Sequence, residues 1–391
     1  VDLTDTMMVA SIDPNASESA VLLSLPRDLF LLKTDLLGKG RRINSLYRDF
    51  KGYYQSHDGL PEKEASVSAM KEAANEIGSH LNIPIQYVVR VNFSGFQQAV
   101  DAVGGIDVTV PYDINDPEYP AEKGYGYEPF TILAGPHHLD GKTALKYVRS
   151  RHTTSDFGRS ARQQQVIMTL AQKMKDEGLV KKPQLILDML GIFENNVEMT
   201  MTTRELISLA GIASGMDTKR IITMQLNDRN GLFDSVAEPG GFLYTPPRDQ
   251  FEGASVLLPV SIPEFPITWK QIQTLTSLLS TKQDIYLAHP DIAILNAGAP
   301  PGTARKLANE LVRYGFADPL VDNAKTAKQD SSTIAALDPK DAALLKFFSD
   351  SLHLSTAALP ADLAPEKKKQ LTIILGKDYR FVPLQDLLPS S

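Results

Sequence analysis

Cysteine is absent from all 391 residues. That excludes disulfides, thiolate metal sites and a cysteine nucleophile. No apolar run approaches the length of about 18 residues that a membrane-crossing helix needs, and no signal sequence opens the chain. The chain starts abruptly, with Val1-Asp2-Leu3-Thr4-Asp5 running straight into Met7-Met8-Val9-Ala10, and reads as the interior of something longer. An excess of positive charge is also missing. Forty Lys and Arg stand against 47 Asp and Glu, for a net charge of −7. A general nucleic-acid binder would carry a basic surface, so that class is disfavoured. There is no Ser–His–Asp pattern of recognisable spacing, no phosphate-loop motif and no zinc-type histidine pair.

What is present is an ordinary globular composition, 42% hydrophobic, over a length sufficient for two or three domains. Residues 6–12 and 20–32 read as buried strands joined by the turn-forming Asp13-Pro14-Asn15-Ala16-Ser17. Val67, Met70, Ala74, Ile77 and Leu81 have helical spacing and predict a helix over 63–81. Residues 85–91 read as a strand. A helix follows Asn92 and is stopped by Gly104-Gly105, and 106–110 read as another strand. Residues 113–130, rich in Asp, Pro, Gly and Tyr, predict a long loop. Residues 144–151 read as a strand or the end of a helix, and 158–175 as a strong helix. Further helices are expected over 184–216, a strand over 220–226, an irregular excursion over 229–268 and a helix over 268–279. From Asp284 a second set of elements begins: a strand at 292–296, a Gly-Pro-Pro-Gly turn, a helix from Thr303 to Tyr314 and a late strand at 371–375. The Lys-rich 366–369 reads as a solvated helix end. The alternation predicts a mixed-sheet α/β sandwich over 1–282 and a small α/β domain over 283–391.

The chemistry concentrates in one segment. Arg149 and Arg151 are two apart, so in an extended chain they point the same way. Arg159 and Gln163 share a helical face that continues through Val166, Leu170 and Met174. A guanidinium at the head of a buried stripe calls for an anionic partner. A carboxylate such as Asp156 would make a structural ion pair; a phosphate would make a binding site, because the guanidinium fork matches phosphate oxygens. Convergence of several arginines favours the phosphate. Arg27, at the end of an apolar strand, is a candidate further cation. Asp5, at the start of one, could hold a divalent metal beside phosphates. His137 and His138 could transfer protons but read more simply as turn residues.

These segments resemble the LytR–CpsA–Psr family. The likeness is carried by Asp5-Thr-Met-Met, Leu25-Pro-Arg-Asp, Arg42-Ile-Asn-Ser, Tyr87-Val-Val-Arg-Val-Asn-Phe-Ser-Gly-Phe and Val100-Asp-Ala-Val-Gly-Gly-Ile-Asp-Val. It continues through Leu139-Asp-Gly-Lys-Thr-Ala-Leu-Lys-Tyr-Val-Arg-Ser-Arg and Asp156-Phe-Gly-Arg-Ser-Ala-Arg-Gln-Gln-Gln. From Asp284 to Tyr379 the chain resembles the family's common C-terminal extension.

The resemblance implies an α/β(α) sandwich and a membrane-anchored, extracytoplasmic phosphotransferase. Its substrate would be a polyprenyl-pyrophosphate-linked glycopolymer, such as a teichoic acid or capsular polysaccharide, and its acceptor a peptidoglycan sugar hydroxyl. No nucleic acid is involved. Arg27, Arg149, Arg151 and Arg159 would act on the pyrophosphate, with Gln163, Arg162 and Arg42 binding substrate and Asp5 binding Mg2+. The lipid tail would lie in an apolar tunnel. The family also has an earlier strand with a second metal-side aspartate, and an N-terminal membrane helix; neither is in these residues. Asp5 and Asp28 are the candidates nearest the site for the general base. A hydrolase with the same site, or a non-catalytic envelope module, are the alternatives.

Overall fold

The computed structural model describes residues 3–13, 19–121, 126–150, 156–178, 196–227, 241–260, 267–324, 329–361 and 363–388. The chain divides into two compact units, Val1–Ser79 with Pro84–Gln225 and His80–Ile83 with Leu226–Ser391.

In the first unit, β1 (Met7–Asp13) pairs antiparallel with β2 (Ser19–Leu25), Met7 opposite Leu25 and Asp13 opposite Ser19. The expected turn at 14–18 lies outside the described residues. β2 stops at Leu25, short of the strand predicted to 32, because Pro26 offers no N–H and its carbonyl closes a turn onto Leu29 at 3.0 Å. The chain resumes as β3 (Phe30–Leu31), paired with β4 (Arg41–Arg42). Then come α1 (Leu46–Ser56) and α2 (Glu62–Leu81). β5 (Val89–Val91) is shorter than the predicted 85–91 strand, its partner being only three residues long.

α3 (Phe93–Ala102) ends at the predicted glycines, with Gly104 and Gly105 at φ 72° and 85°. β6 (Ile106–Val110) follows. The predicted long loop instead holds a hairpin of β7 (Ile114–Asp116) and β8 (Phe130–Ile132), in which alternate residues are buried. β9 (Gly135–Leu139) pairs with β6 and carries His137 and His138 on a strand rather than a turn.

α4 (Gly141–Arg149) decides between strand and helix for 144–151. Asp140 caps it, accepting the Thr143 N–H at 2.7 Å, and Gly141 lets it approach α3, since a Cβ there would sit 2.2 Å from the Gln97 carbonyl oxygen. Arg149 is therefore the last helical residue, and the extended-chain reading that paired it with Arg151 does not hold; Arg151 itself lies outside the described residues. α5 (Asp156–Asp176) is the predicted strong helix. β10 (Val197–Met199) pairs with β5, and α6 (Thr203–Gly215) begins with a Thr202–Glu205 capping box. β11 (Ile221–Gln225) joins β2 in parallel, completing a mixed three-stranded sheet in which β2 is central and buried on both faces. One core cluster, including Val100, Ile106, Tyr147 and Val166, lies among α3, α4, α5 and β6–β9.

The second unit opens with the two-residue strands β12 (Leu243–Tyr244) and β13 (Leu258–Pro259) inside the expected irregular excursion. α7 (Lys270–Thr281) and α8 (Gln283–Leu287) follow. Its sheet comprises β14 (Ile292–Asn296), β15 (Leu320–Asn323), β16 (Thr333–Ala336), β17 (Ser355–Thr356) and β18 (Leu371–Leu375), in the order 15-14-18-16-17. β18 is antiparallel to β16 and the other pairs are parallel. α9 (Thr303–Arg313), α10 (Ala342–Leu352) and the short α11 (Leu384–Leu387) complete it. One charge prediction fails here. Lys367 is buried, with its Nζ 2.7 Å from the Asp322 carboxylate and donating to the Asn323 carbonyl at 2.8 Å. The chain is mixed α/β throughout, and no described helix is long and apolar enough to cross a membrane.

Candidate functional site

Two groups of charged side chains form in the first unit. The first grows from three segments tied through their backbones. The turn after β2 presents the Arg27 carbonyl to the Asn44 N–H at 3.3 Å, and the Asn44 carbonyl accepts the Thr4 N–H at 3.0 Å and the Thr4 hydroxyl at 3.2 Å. Asp5, Arg27 and Arg42 are each carried next to one of these ties. Arg27 Nη1 donates to Asp5 Oδ1 at 3.3 Å, and its Nε lies 3.6 Å from Asp28 Oδ2. Arg42 Nη1 donates to Asp28 Oδ1 at 3.3 Å. The result is an alternating chain, Asp5–Arg27–Asp28–Arg42. All four side chains keep some contact with solvent, where each ion pair contributes only about 0–1 kcal/mol. Stability alone does not account for the arrangement.

The second group lies on α4 and α5. Arg159 and Gln163 fall on the buried side of α5, 5% and 7% exposed, ahead of the fully buried Val166. The predicted face is the observed one. Gln163 Nε2 donates to the Val148 carbonyl at 3.3 Å. Arg162 is more deeply committed: its Nε donates to the Tyr147 carbonyl at 2.9 Å, its Nη2 to the Ser150 carbonyl at 2.5 Å and its Nη1 to the Tyr112 hydroxyl at 3.4 Å. Arg162 thereby fastens α5 to the end of α4. Arg149 meets aromatic side chains, its guanidinium carbon 4.0 Å from the centre of the Phe93 ring and its Nη1 donating to the Tyr119 hydroxyl at 3.4 Å. The Asp156 side chain, the proposed structural counter-ion, lies outside the described residues.

A residue that composition and spacing did not single out joins the groups. Gln164 Nε2 donates to Ser24 Oγ at 2.8 Å, to the Met224 carbonyl at 2.9 Å and to the Leu22 carbonyl at 3.4 Å. The helix of Arg159 and Gln163 is thus held against β2, the strand that leads to Arg27. Phe93 and Asn44 entered the sequence reading only within the family motifs, with no role assigned, and Tyr119 was not singled out. The available signal was an aromatic at the first turn of a capped helix, directly after the helix-opening Asn92.

Burial pushes the Tyr147 hydroxyl up to about 12 against the opposing Arg162 charge, and raises Tyr119 against the opposing Arg149 charge. Both stay protonated at neutral pH. His138 Nδ1 is 2.7 Å from Asp107 Oδ1, a hydrogen bond that holds the Asp107 carboxyl below its ordinary value, and His137 Nε2 is 2.8 Å from the Leu133 carbonyl. Both imidazoles have their own local partners. Among the described residues no cluster of three or more His, Cys, Asp or Glu could hold a metal. A hard cation shared with phosphate oxygens requires less, one or two carboxylates, and Asp5 and Asp28, both beside Arg27, offer that donor chemistry.

The order and spacing of these residues match a known family over residues 2–245, described as the LytR_cpsA_psr family. The chain belongs to that family. Residues 290–379 match a second family, the LytR cell envelope-related transcriptional attenuator. The resemblance drawn from Asp5-Thr-Met-Met through the Asp156 helix is therefore confirmed, as is that of the C-terminal extension. Among similar proteins is a polyisoprenyl-teichoic acid–peptidoglycan teichoic acid transferase, TagV of Bacillus subtilis (strain 168), 30% identical over 226 residues, 57% of this chain and 51% of the relative. A TagU of the same description from Oceanobacillus iheyensis is 32% identical over 226 residues, 57% of this chain and 61% of the relative. The chain thus spans between half and two thirds of these relatives. A crystal structure of B. subtilis TagV aligns with a TM-score of 0.48 and 25% identity, covering 72% of this chain and 90% of that one.

Proposed function

We propose that this member of the LytR_cpsA_psr family transfers a glycopolymer from a polyprenyl-pyrophosphate carrier to a sugar hydroxyl of peptidoglycan. The observation that carries the reading is Gln164, which holds the helix of Arg159 and Gln163 against the strand that delivers Arg27. Guanidinium groups on elements packed together suit a pyrophosphate, whose oxygens accept their forked donors. The names of the two relatives combine the same three parts: polyisoprenyl carrier, teichoic acid and peptidoglycan.

In the proposed reaction the acceptor hydroxyl oxygen attacks the phosphorus bonded to the glycopolymer. The bond from that phosphorus to the bridging oxygen breaks, polyprenyl phosphate leaves, and the hydroxyl proton passes to a base. Such transfer requires chiefly positioning and neutralisation of charge on the phosphoryl oxygens. Arg27, Arg149 and Arg159 supply that charge, Gln163 orients an oxygen, and Arg42 holds Asp28. Asp5 would hold Mg2+, which when bound would supply further neutralisation of charge. Arg151 belongs to the same proposal through its place in the family motif. The carrier is a membrane lipid and the acceptor lies outside the membrane, so the proposal places the enzyme at the outer face of the cell membrane. Teichoic acids and capsular polysaccharides are the candidate cargo.

The test is transfer from a synthetic polyprenyl-pyrophosphate glycan to a peptidoglycan oligomer with Mg2+, read by mass spectrometry of the products. Arg149→Ala and Arg159→Ala should abolish transfer while the fold persists. Full activity in both would sink the site assignment, and release of free glycan phosphate in place of a conjugate would make the protein a hydrolase.

A further inference from the structure

Phe93 is 45% exposed, yet it is tightly placed. It is the first residue of α3, and the preceding Asn92 caps the helix by accepting the Gly95 N–H at 2.8 Å. Asn92 is itself held by Asn196, through a 3.0 Å backbone bond and a 2.9 Å side-chain bond. A Cβ at Gly95 would lie 2.8 Å from the Asn196 carbonyl oxygen, so the helix start is packed directly on that backbone. The outcome is an aromatic ring fixed at the surface with the Arg149 guanidinium 4.0 Å above its centre.

Tyr119 meets the same guanidinium from within the core. It is 4% exposed, packs its ring against Phe130 at 6.1 Å and offers its hydroxyl to Arg149 Nη1 at 3.4 Å. Its own backbone carbonyl accepts the Glu128 N–H at 2.7 Å, which fixes the hairpin segment that carries it. A guanidinium laid on a ring and hydrogen-bonded at one nitrogen has lost most of its rotamer freedom. Stacking uses the face of the cation and leaves its edge donors for a ligand.

We propose that Phe93 and Tyr119 are positioning residues that hold the Arg149 fork at one orientation toward the phosphoryl oxygens. The inference rests on the assignment of Arg149 to the pyrophosphate. A surface phenylalanine held this firmly has little to gain in stability from its ring; what the ring supplies is a platform for the cation. Sub-ångström placement of such a group matters to rate because misplaced donors no longer meet the transition-state charge.

The experiment compares kcat, KM and melting temperature for Phe93→Leu, Phe93→Trp, Tyr119→Phe and Arg149→Ala in the full chain, using the synthetic carrier and peptidoglycan oligomer. Phe93→Leu and Tyr119→Phe should each lower kcat on the order of tenfold, with KM and melting temperature little changed. Phe93→Trp, which restores a ring, should recover most of the rate; a purely structural apolar site would accept leucine and resist tryptophan. If Arg149→Ala abolishes transfer while Phe93→Leu and Tyr119→Phe keep the full kcat, the cradle is wrong and the pyrophosphate assignment stands. If Arg149→Ala itself transfers at the full rate, that assignment and the cradle fall together.

Discussion

Arg162 Nε donates to the Tyr147 carbonyl oxygen at 2.9 Å, joining α5 to α4 inside the first unit. The same guanidinium reaches the Ser150 carbonyl and the Tyr112 hydroxyl, at 2% exposure. Arg162→Met should therefore act on stability first. Each buried carbonyl left without a donor costs about 1–3 kcal/mol. Urea unfolding followed by circular dichroism should show the loss. Arg162→Lys should not restore it, because lysine lacks the planar fork that spans both carbonyls.

Gln164→Leu removes three donations to β2 and β11 from one buried amide. The expected cost is about 1–3 kcal/mol, accompanied by a fall in transfer larger than the stability change explains, because the helix of Arg159 loses its tie to the strand of Arg27. Hydrogen exchange at the α5 amides, measured beside kcat, checks both parts. Unchanged exchange with lost activity would assign Gln164 a more direct role.

Glu310 in the second unit is buried, pairs with Arg313 and accepts the Leu384 N–H at 2.8 Å. Burial raises its carboxyl above the ordinary value of 4.5, with Arg313 opposing. The folded unit then holds the proton more tightly than the unfolded chain, so this contribution to stability is complete below 4.5 and is lost as pH rises through the raised value. Glu310→Gln cannot ionise. Its stability relative to the natural protein should grow as pH climbs through that window. Urea unfolding followed by the fluorescence of Trp269, the single tryptophan, reads the second unit directly.

Lys367→Met should destabilise the second unit by about 1–3 kcal/mol, as it leaves the Asn323 carbonyl without its donor. Lys368→Met, next in sequence, has no comparable buried bond and should stay within about 0.5 kcal/mol. The same fluorescence measurement compares them.

These side chains also show what could be read from the sequence. The Arg159–Gln163–Val166 face was legible because helical spacing puts those residues on one side wherever the helix packs. The β14 and β18 strands were legible because their apolar runs are bounded by turns. For 144–151 strand and helix end both stood open, because a short apolar run fits either; Asp140 as a cap and Gly141 at the close crossing settle it as a helix, and that crossing is a tertiary contact. The β7–β8 hairpin was hidden by its Asp- and Pro-rich composition, although Ile114, Phe130 and Ile132 are buried. Lys367 was misread because charge runs usually face solvent, and only folding brings Asp322 and the Asn323 carbonyl to it. Gln164 and Phe93 stood in the motifs without a role, and Tyr119 was not singled out, since each matters only through partners distant in sequence.

The central claim is that the arginines of the first unit hold a polyprenyl pyrophosphate. Native mass spectrometry of the full chain with a synthetic polyprenyl pyrophosphate and Mg2+ tests it most directly. The natural protein should retain one lipid, and Arg159→Ala, folded by circular dichroism, should retain none. Equal retention by both proteins, or no retention by the natural one, would contradict the account.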